Sequence, residues 1–120
     1  MPARFVILHH TGYGDEHWDL MLEKDGLLLT WRLDRDPTLA AVFPVPAQRI
    51  GDHRMAYLEY EGPISGGRGV VRRIETGDFE WLVEGPDRCY IALHGSRLRG
   101  SFVLEKKQGD WVFHPIPPKE

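Results

Sequence analysis

Residues His9–Glu23 read HHTGYGDEHWDLMLE, and the second half of this stretch alternates strictly. One set of side chains is polar or mixed: His17, Asp19, Met21 and Glu23. The other set is apolar: Trp18, Leu20 and Leu22. A period of two is typical of a half-buried strand, whose successive side chains point to opposite faces of a sheet. The stretch therefore predicts a strand with one face in the core and a second face that carries chemistry.

The segments on either side of this stretch also have the pattern of strands. Phe5–Leu8 is a short apolar run, which predicts a buried strand that delivers His9 and His10 at its end. Lys24-Asp25-Gly26 follows the alternating strand, and Asp-Gly between such runs predicts a hairpin. We therefore expect Leu27–Leu33 to return antiparallel to the strand that carries His17.

The middle of the chain has a weaker pattern. Pro37, Pro44 and Pro46 interrupt the segment from Asp34 to Gln48, which we interpret as an irregular cover with one or two helical turns over Thr38–Phe43. The stretch 51–61 has no assigned element, and Gly62–Gly69 (GPISGGRG) is expected to be a glycine-rich turn.

The second half of the chain predicts a succession of short strands. They are separated by turn residues and cover Val70–Glu75, Asp78–Glu84, Cys89–His94, Ser101–Lys106 and Trp111–Ile116. This spacing indicates an all-β fold, a small single-domain β-barrel of about eight mostly antiparallel strands with one or two short helical turns. The domain is expected to span residues 1–120, with a Pro-rich tail over Pro115–Glu120.

Composition limits the function classes. The 15 basic and 18 acidic residues argue against tight, extended binding along a nucleic-acid backbone, although a small site for one end is allowed. The single Cys89 cannot form an intramolecular disulfide, which favours the reducing cytoplasm. No apolar run approaches the roughly 20 residues of a membrane span, so we expect no membrane partner.

His17 and Asp19 lie two residues apart on one strand and point the same way. With His10 from the end of the preceding strand, they would form a site of two histidines and one carboxylate, a donor set that suits Mn, Fe or Zn. By itself the His-x-Asp spacing is common, and on the residues alone a structural or surface role is favoured over a metal site.

Three blocks of residues occur in order along the chain. The first comprises Phe5, Val6, Ile7, His10, His17, Trp18, Asp19, Leu22, Glu23, Asp25, Gly26 and Trp31. The second comprises Asp52, His53, Tyr57, Tyr60, Glu61 and Gly62, and the third His94, Gly95, Leu98 and Gly100. In these blocks the chain resembles the 3′-phosphoesterase domain of bacterial DNA ligase D.

The resemblance implies a β-barrel that trims 3′-phosphate or 3′-terminal ribonucleotide ends of DNA and leaves a 3′-hydroxyl. By the matching positions, His10, His17 and Asp19 would hold a divalent metal, most often Mn²⁺, with Zn²⁺ or Fe²⁺ as alternatives. His53 and Tyr57 would contact the reacting phosphate as catalytic residues. The implied partners are DNA 3′ ends and a ligase or polymerase acting in trans, with the chain itself a monomer.

The chain departs from the family pattern at Met21, where the family has an arginine. Methionine cannot make bidentate contacts to phosphate, so we expect phosphate affinity or rate to be reduced, and we hypothesise that Arg54 or Arg68 supplies the missing charge. The spacing from His10 to His17 is one residue longer than in the family, which leaves open whether His9 or His10 is the ligand.

Two alternatives to the phosphoesterase remain open at this point. The chain could be a catalytically weakened or inactive relative that binds a DNA end or a repair partner, which Met21 favours. A non-haem iron oxygenase is the third interpretation, since that chemistry also uses a His-x-Asp strand.

Overall fold

A computed structural model describes residues 2–39 and 42–117, which form nine strands and one short 3₁₀ helix, Met55–Leu58. The strands are β1 (Ala3–Thr11), β2 (His17–Lys24), β3 (Leu27–Leu33), β4 (Val45–Arg54), β5 (Gly62–Pro63), β6 (Val70–Glu84), β7 (Arg88–Gly95), β8 (Arg99–Lys107) and β9 (Asp110–Pro115).

Eight of these strands close into a barrel. The order around the ring is β1-β2-β3-β4-β9-β8-β7-β6, and β6 pairs with β1 to complete it. All the pairings are antiparallel, and the two-residue strand β5 adds to β6 beside the ring. The predicted all-β barrel of about eight mostly antiparallel strands is confirmed, and it has one short helical turn.

The hairpin predicted at Asp25-Gly26 is confirmed. Both residues have positive φ, 51° and 80°, as the two central residues of a type I′ turn require. The turn sets the register of β2 and β3, in which Met21 lies opposite Thr30 and Leu20 opposite Trp31. Directly opposed residues share a face, so this register decides which β3 side chains join His17 and Asp19.

The prediction of two strands over Val70–Glu75 and Asp78–Glu84 was wrong, because β6 is continuous. Its first part pairs with β1 and its second part with β7, and the two pairings overlap over residues 77–79. A Cβ atom at Gly77 would lie 2.4 Å from the carbonyl oxygen of His94. The glycine permits close approach of two backbones rather than a turn.

The irregular cover predicted from Asp34 to Gln48 was also partly wrong, since β4 begins at Val45. Pro46 lies near the start of β4, where a missing N–H is tolerated, and its carbonyl accepts a hydrogen bond from the N–H of Asp34 at 3.1 Å. The helical turn expected over Thr38–Phe43 falls partly on residues 40 and 41, outside the described residues, and its described neighbours form a turn and irregular backbone. The helical turn that is present instead follows β4.

Buried apolar side chains form two separate clusters. The larger cluster fills the barrel interior and draws on all eight ring strands, with Phe5, Leu20, Trp31, Phe79 and Phe113 among its members. The smaller cluster lies on the opposite side of the β1-β2-β3 wall, beneath the 3₁₀ helix. It consists of Val6, Leu8, Met21, Leu28, Leu58 and Val71. The wall is therefore covered on both sides, and its outer side carries the candidate site.

Among the residues that the structure describes, no helix has the length and apolar character needed to cross a membrane. The tail predicted over Pro115–Glu120 begins at the last residue of β9, and residues 118–120 lie outside the described part of the chain.

Candidate active site

The pairing of β1 with β2 brings His10, His17 and Asp19 together. His10 lies directly opposite His17, and Asp19 follows two residues later on the same face of β2. His10 Nδ1 lies 3.1 Å from His17 Nε2 and 3.9 Å from Asp19 Oδ2, and the last two atoms are 3.4 Å apart. Donor atoms held about 2.1 Å from one ion lie roughly 3.0–3.4 Å from each other at ordinary coordination angles. The His10–His17 and His17–Asp19 separations lie in this range, while the 3.9 Å between His10 and Asp19 needs the angle at the ion to open to roughly 135°. The triad can hold a single metal ion with that one wide angle.

Backbone carbonyls fix the tautomer of both imidazoles. His10 Nε2 donates to the carbonyl of Arg68 at 2.7 Å, and His17 Nδ1 donates to the carbonyl of Asp15 at 2.9 Å. A carbonyl can only accept, so the lone pairs of His10 Nδ1 and His17 Nε2 face each other next to a carboxylate. Three acceptors converging in this way are stabilised by a cation among them, either a metal ion or a proton held by one imidazole.

Two observations on the acidic ligand agree with this. Asp19 is 4% exposed, and its Oδ1 has no hydrogen-bond partner among the described residues, which is costly for a buried carboxylate oxygen. A proton on His17 Nε2 can be donated to Asp19, and this hydrogen bond raises the pKa of His17 against the opposing effect of burial, so the carboxylate favours a positive charge at this position. The residues present therefore fit a divalent metal, with Asp19 as its anionic ligand.

The loop after the 3₁₀ helix holds His10 in place. Gly69 has φ +83°, and a Cβ atom there would lie 2.2 Å from the carbonyl oxygen of Thr11 and 3.2 Å from His10 Nε2. Only glycine lets the loop approach β1 closely enough for the carbonyl of Arg68 to reach the imidazole.

His9 lies on the other face of β1. Its ring stacks on Trp18 at a centroid distance of 4.8 Å, and its Nε2 lies 2.6 Å from Glu16 Oε2. Of the two adjacent histidines, the structure places His10, and not His9, beside His17 and Asp19.

His53 and Tyr57 lie across the same outer wall. His53 Nδ1 donates to the carbonyl of Gly51 and to Thr30 Oγ1, both at 3.0 Å, while the Thr30 hydroxyl donates to the carbonyl of Leu28. His53 Nε2 therefore carries a lone pair, and no hydrogen bond to it is found within the described residues. The Tyr57 ring packs edge-to-face against His53 at 5.5 Å.

A cavity of about 160 Å³, called here the site cavity, joins these residues. Its polar lining comprises His10, Tyr13, Asp19, His53, Tyr57 and Arg68. Its apolar lining comprises Leu8, Met21, Ile64 and Val71. Met21 is 2% exposed and belongs to the outer apolar cluster, so an apolar surface occupies the position between the triad and His53.

The two arginines proposed as replacements for the family arginine lie in different places. Arg68 lines the site cavity, where its Nε donates to the carbonyl of Ser65 at 2.7 Å and its Nη2 to Ser65 Oγ at 3.1 Å. Arg54 lines a neighbouring groove instead. Only Arg68 is therefore placed beside the triad and His53.

Sequence reasoning missed Thr30 and Tyr13 as members of the site. Thr30 could have been predicted, because the register of the Asp25-Gly26 hairpin puts it opposite Met21 on the face that carries Asp19. Tyr13 lies in the loop between β1 and β2, whose path no pattern in the sequence specifies.

The third sequence block has a structural role. The carboxylate of Glu75 accepts hydrogen bonds from the backbone N–H groups of Ser96, Arg97 and Leu98 at 2.7–3.2 Å, and from Ser96 Oγ at 2.8 Å. A Cβ atom at Gly95 would lie 2.7 Å from Glu75 Oε2. The turn after β7 thus wraps around a buried carboxylate, while His94 pairs with Glu80 on the surface.

Comparison with known proteins gives matches over most of the chain. The family model of the DNA ligase D 3′-phosphoesterase domain matches residues 8–106. The multifunctional non-homologous end joining protein LigD of Mycobacterium bovis is 30% identical over 121 residues, which cover 93% of this chain. The LigD protein of Pseudomonas aeruginosa is 31% identical over 108 residues, or 79% of this chain.

These relatives are much longer proteins. The matched region makes up 16% of the Mycobacterium bovis protein and 13% of the Pseudomonas aeruginosa protein. The family match covers the triad, His53 and Tyr57 and the turn around Glu75. By these matches, the chain belongs to the DNA ligase D 3′-phosphoesterase domain family.

Proposed function

We propose that this chain is a metal-dependent phosphoesterase that removes 3′-phosphate or 3′-ribonucleotide ends from DNA. The observation that carries the proposal is the convergence of two imidazole lone pairs and a buried carboxylate at the rim of a cavity that also holds His53, Tyr57 and Arg68. Membership of the 3′-phosphoesterase family supports the reaction class.

His10, His17 and Asp19 would hold the metal. Two imidazoles and one carboxylate suit Mn²⁺, which we expect, with Zn²⁺ and Fe²⁺ as alternatives. When bound, the ion supplies Lewis-acid polarisation of a phosphoryl oxygen and lowers the pKa of a coordinated water.

His53 is the residue best arranged to move a proton. Its Nδ1–H is fixed by Gly51 and Thr30, so Nε2 can take a proton from solvent before the reaction and deliver it to the leaving oxygen, while the ring in its protonated form stabilises the phosphoryl group. Tyr57 packs against this ring in the same cavity, where its hydroxyl can donate to a phosphate oxygen.

Arg68 is the proposed source of positive charge in place of the family arginine. Ser65 occupies its Nε and one Nη2 hydrogen bond, which leaves further N–H donors for an anion. The attachment to Ser65 also fixes the side chain before substrate binds, so less entropy is lost on binding.

The wider setting is proposed from the relatives. LigD proteins are described as multifunctional non-homologous end joining proteins, and we infer that this chain acts on DNA ends in strand-break repair. We further propose that it works as a monomer in the cytoplasm, together with a ligase or polymerase.

The test is manganese-dependent turnover on a primer-template that ends in a 3′-phosphate or a single 3′-ribonucleotide. We expect cleavage by the native protein and at least a 100-fold loss in Asp19→Asn, which removes the ligand charge at constant size. Asp78→Asn, an exposed acid on β6, is the matched control and should cleave normally.

Met21 favours a second candidate, a relative that binds a DNA end without turning it over. Absence of cleavage by a native protein that still binds manganese would support this candidate and contradict the phosphoesterase. In that case, activity gained by Met21→Arg would identify the missing arginine as the cause. The iron oxygenase interpretation has less support, because the family match includes the segment around His53 and Tyr57.

A further inference from the structure

A second cavity of about 240 Å³ adjoins the site cavity and is called here the Arg54 groove. Its walls come from the end of β4, the 3₁₀ helix and the segment that follows the helix, and include Arg54, Tyr60 and Pro63. Tyr57 and Ile64 line both cavities, so a ligand that fills the site cavity can continue into the groove across these two side chains.

Aromatic rings run from the site cavity into the groove. Tyr57 packs edge-to-face against His53 on one side, and against Tyr60 on the other at a centroid distance of 6.0 Å. Tyr60 is 39% exposed, and its hydroxyl donates to the carbonyl of Pro63, which fixes the ring while its surface stays open to solvent. Exposed, immobilised aromatic rings are the surfaces on which nucleic-acid bases and sugars pack.

Arg54 provides a cation at the groove. It is exposed at the junction of β4 and the 3₁₀ helix, and no hydrogen bond or ion pair to its guanidinium is found within residues 2–39 and 42–117. The nearby Glu59 is paired with Arg4 instead. A guanidinium with no acidic partner among the described residues, beside a site proposed to bind phosphate, is suited to a second phosphate group.

We propose that the Arg54 groove binds the nucleotide on the 5′ side of the reacting end, with Arg54 contacting the phosphodiester of that nucleotide. The inference rests on the proposed function, since it assumes that the reacting phosphate occupies the site cavity. It adds where the strand lies beyond its reacting end, because cationic and aromatic groups alternate across the two cavities as phosphates and nucleosides alternate along a strand.

The test compares the binding of two ligands by competition against a fluorescent, 3′-phosphorylated single-stranded oligonucleotide in the presence of Mn²⁺. One ligand is a 3′-phosphorylated trinucleotide, and the other is a nucleoside 3′-monophosphate, which has no phosphodiester. Arg54→Gln should weaken trinucleotide binding about 10-fold and reduce the slope of log affinity against log salt by roughly one unit. Its affinity for the mononucleotide should change less than twofold.

Arg88→Gln is the matched control, because Arg88 is an exposed arginine on β7 across the barrel. It should bind both ligands as the native protein does. Equal losses for the two ligands in Arg54→Gln would place Arg54 on the reacting phosphate and overturn the proposal, as would native binding of the trinucleotide no tighter than that of the mononucleotide.

The proposal is separable from the chemistry, since binding is measured without turnover. Loss of trinucleotide affinity in Arg54→Gln, in a protein that cleaves nothing, would support the groove and contradict the phosphoesterase. Cleavage that is insensitive to Arg54, with unchanged binding, would contradict the groove alone.

Discussion

His53 illustrates how single hydrogen bonds decide what a residue can do. The single Nδ1–H of His53 is donated to both the carbonyl of Gly51 and the Thr30 hydroxyl, which leaves Nε2 with a lone pair. The imidazole therefore has one tautomer before any substrate binds, and no free energy is needed to select that tautomer during the reaction.

Replacement of His53 by alanine should lower kcat about 10²- to 10⁴-fold, the usual contribution of a positioned proton donor or acceptor. Manganese affinity should not change, because His53 is outside the triad. Steady-state kinetics and a manganese titration of the same preparation check both statements. His94→Ala, in an exposed surface pair, should keep full activity, and a fully active His53→Ala protein would exclude the proposed role.

The sequence was sufficient for some residues of the site and insufficient for others. Alternation placed His17 and Asp19 on one face of β2, and the hairpin register could also have placed Thr30 there. Nothing local distinguishes Arg68 from Arg54, since the place of Arg68 at the site depends on how the loop after the 3₁₀ helix folds back over β1.

At the scale of elements, Glu75 links β6 to the turn that follows β7. Burial alone would raise the pKa of this carboxyl, but the hydrogen bonds from Leu98, Arg97 and Ser96 outweigh it and leave the pKa below its usual value of 4.5. The ionised carboxylate thus replaces water as the partner of three backbone N–H groups.

We expect Glu75→Gln to lower the free energy of unfolding by about 3 kcal/mol, because an amide cannot accept all these hydrogen bonds. The native contribution should be complete above the unfolded pKa near 4.5 and should be lost as the pH falls through the lower folded pKa. Urea unfolding at pH 7 and at successively lower pH checks this. Glu80→Gln, on the exposed face of β6, is the control, and an equal loss there would contradict the assignment.

Two element predictions failed for identifiable reasons. The Thr76-Gly77-Asp78 segment has the composition of a turn, but the glycine serves a close crossing of β6 and β7. The prolines around Val45 suggested irregular backbone, although Pro46 keeps its carbonyl for pairing near the start of β4. Both errors came from treating glycine and proline as breaks in a strand, when tertiary pairing decided their use.

At the scale of the whole molecule, the candidate site is separate from the barrel interior. The interior cluster includes Phe5, Leu20 and Trp31, whereas the site lies over the smaller outer cluster beneath the 3₁₀ helix. Changes at the triad should therefore leave the main core intact.

Manganese binding should stabilise the whole fold, because the triad joins β1 to β2 and the unfolded chain has no such site. At a concentration about 100 times its Kd, the ion should add about 2.7 kcal/mol and raise Tm by roughly 10 °C. Differential scanning calorimetry with and without a chelator measures this shift. His10→Ala should lose the shift, and a shift retained in that variant would contradict the assignment of the triad.

The hydrogen bond from His10 to the carbonyl of Arg68 has one more consequence. It connects a metal-ligand imidazole of the triad to the loop of residues 64–69. The orientation of that imidazole and the ordering of the loop are therefore coupled. Occupation of the triad should therefore slow hydrogen–deuterium exchange of the loop amides, although the ion touches none of them. The exchange rate of the loop amides would therefore show whether a metal ion is bound at the triad.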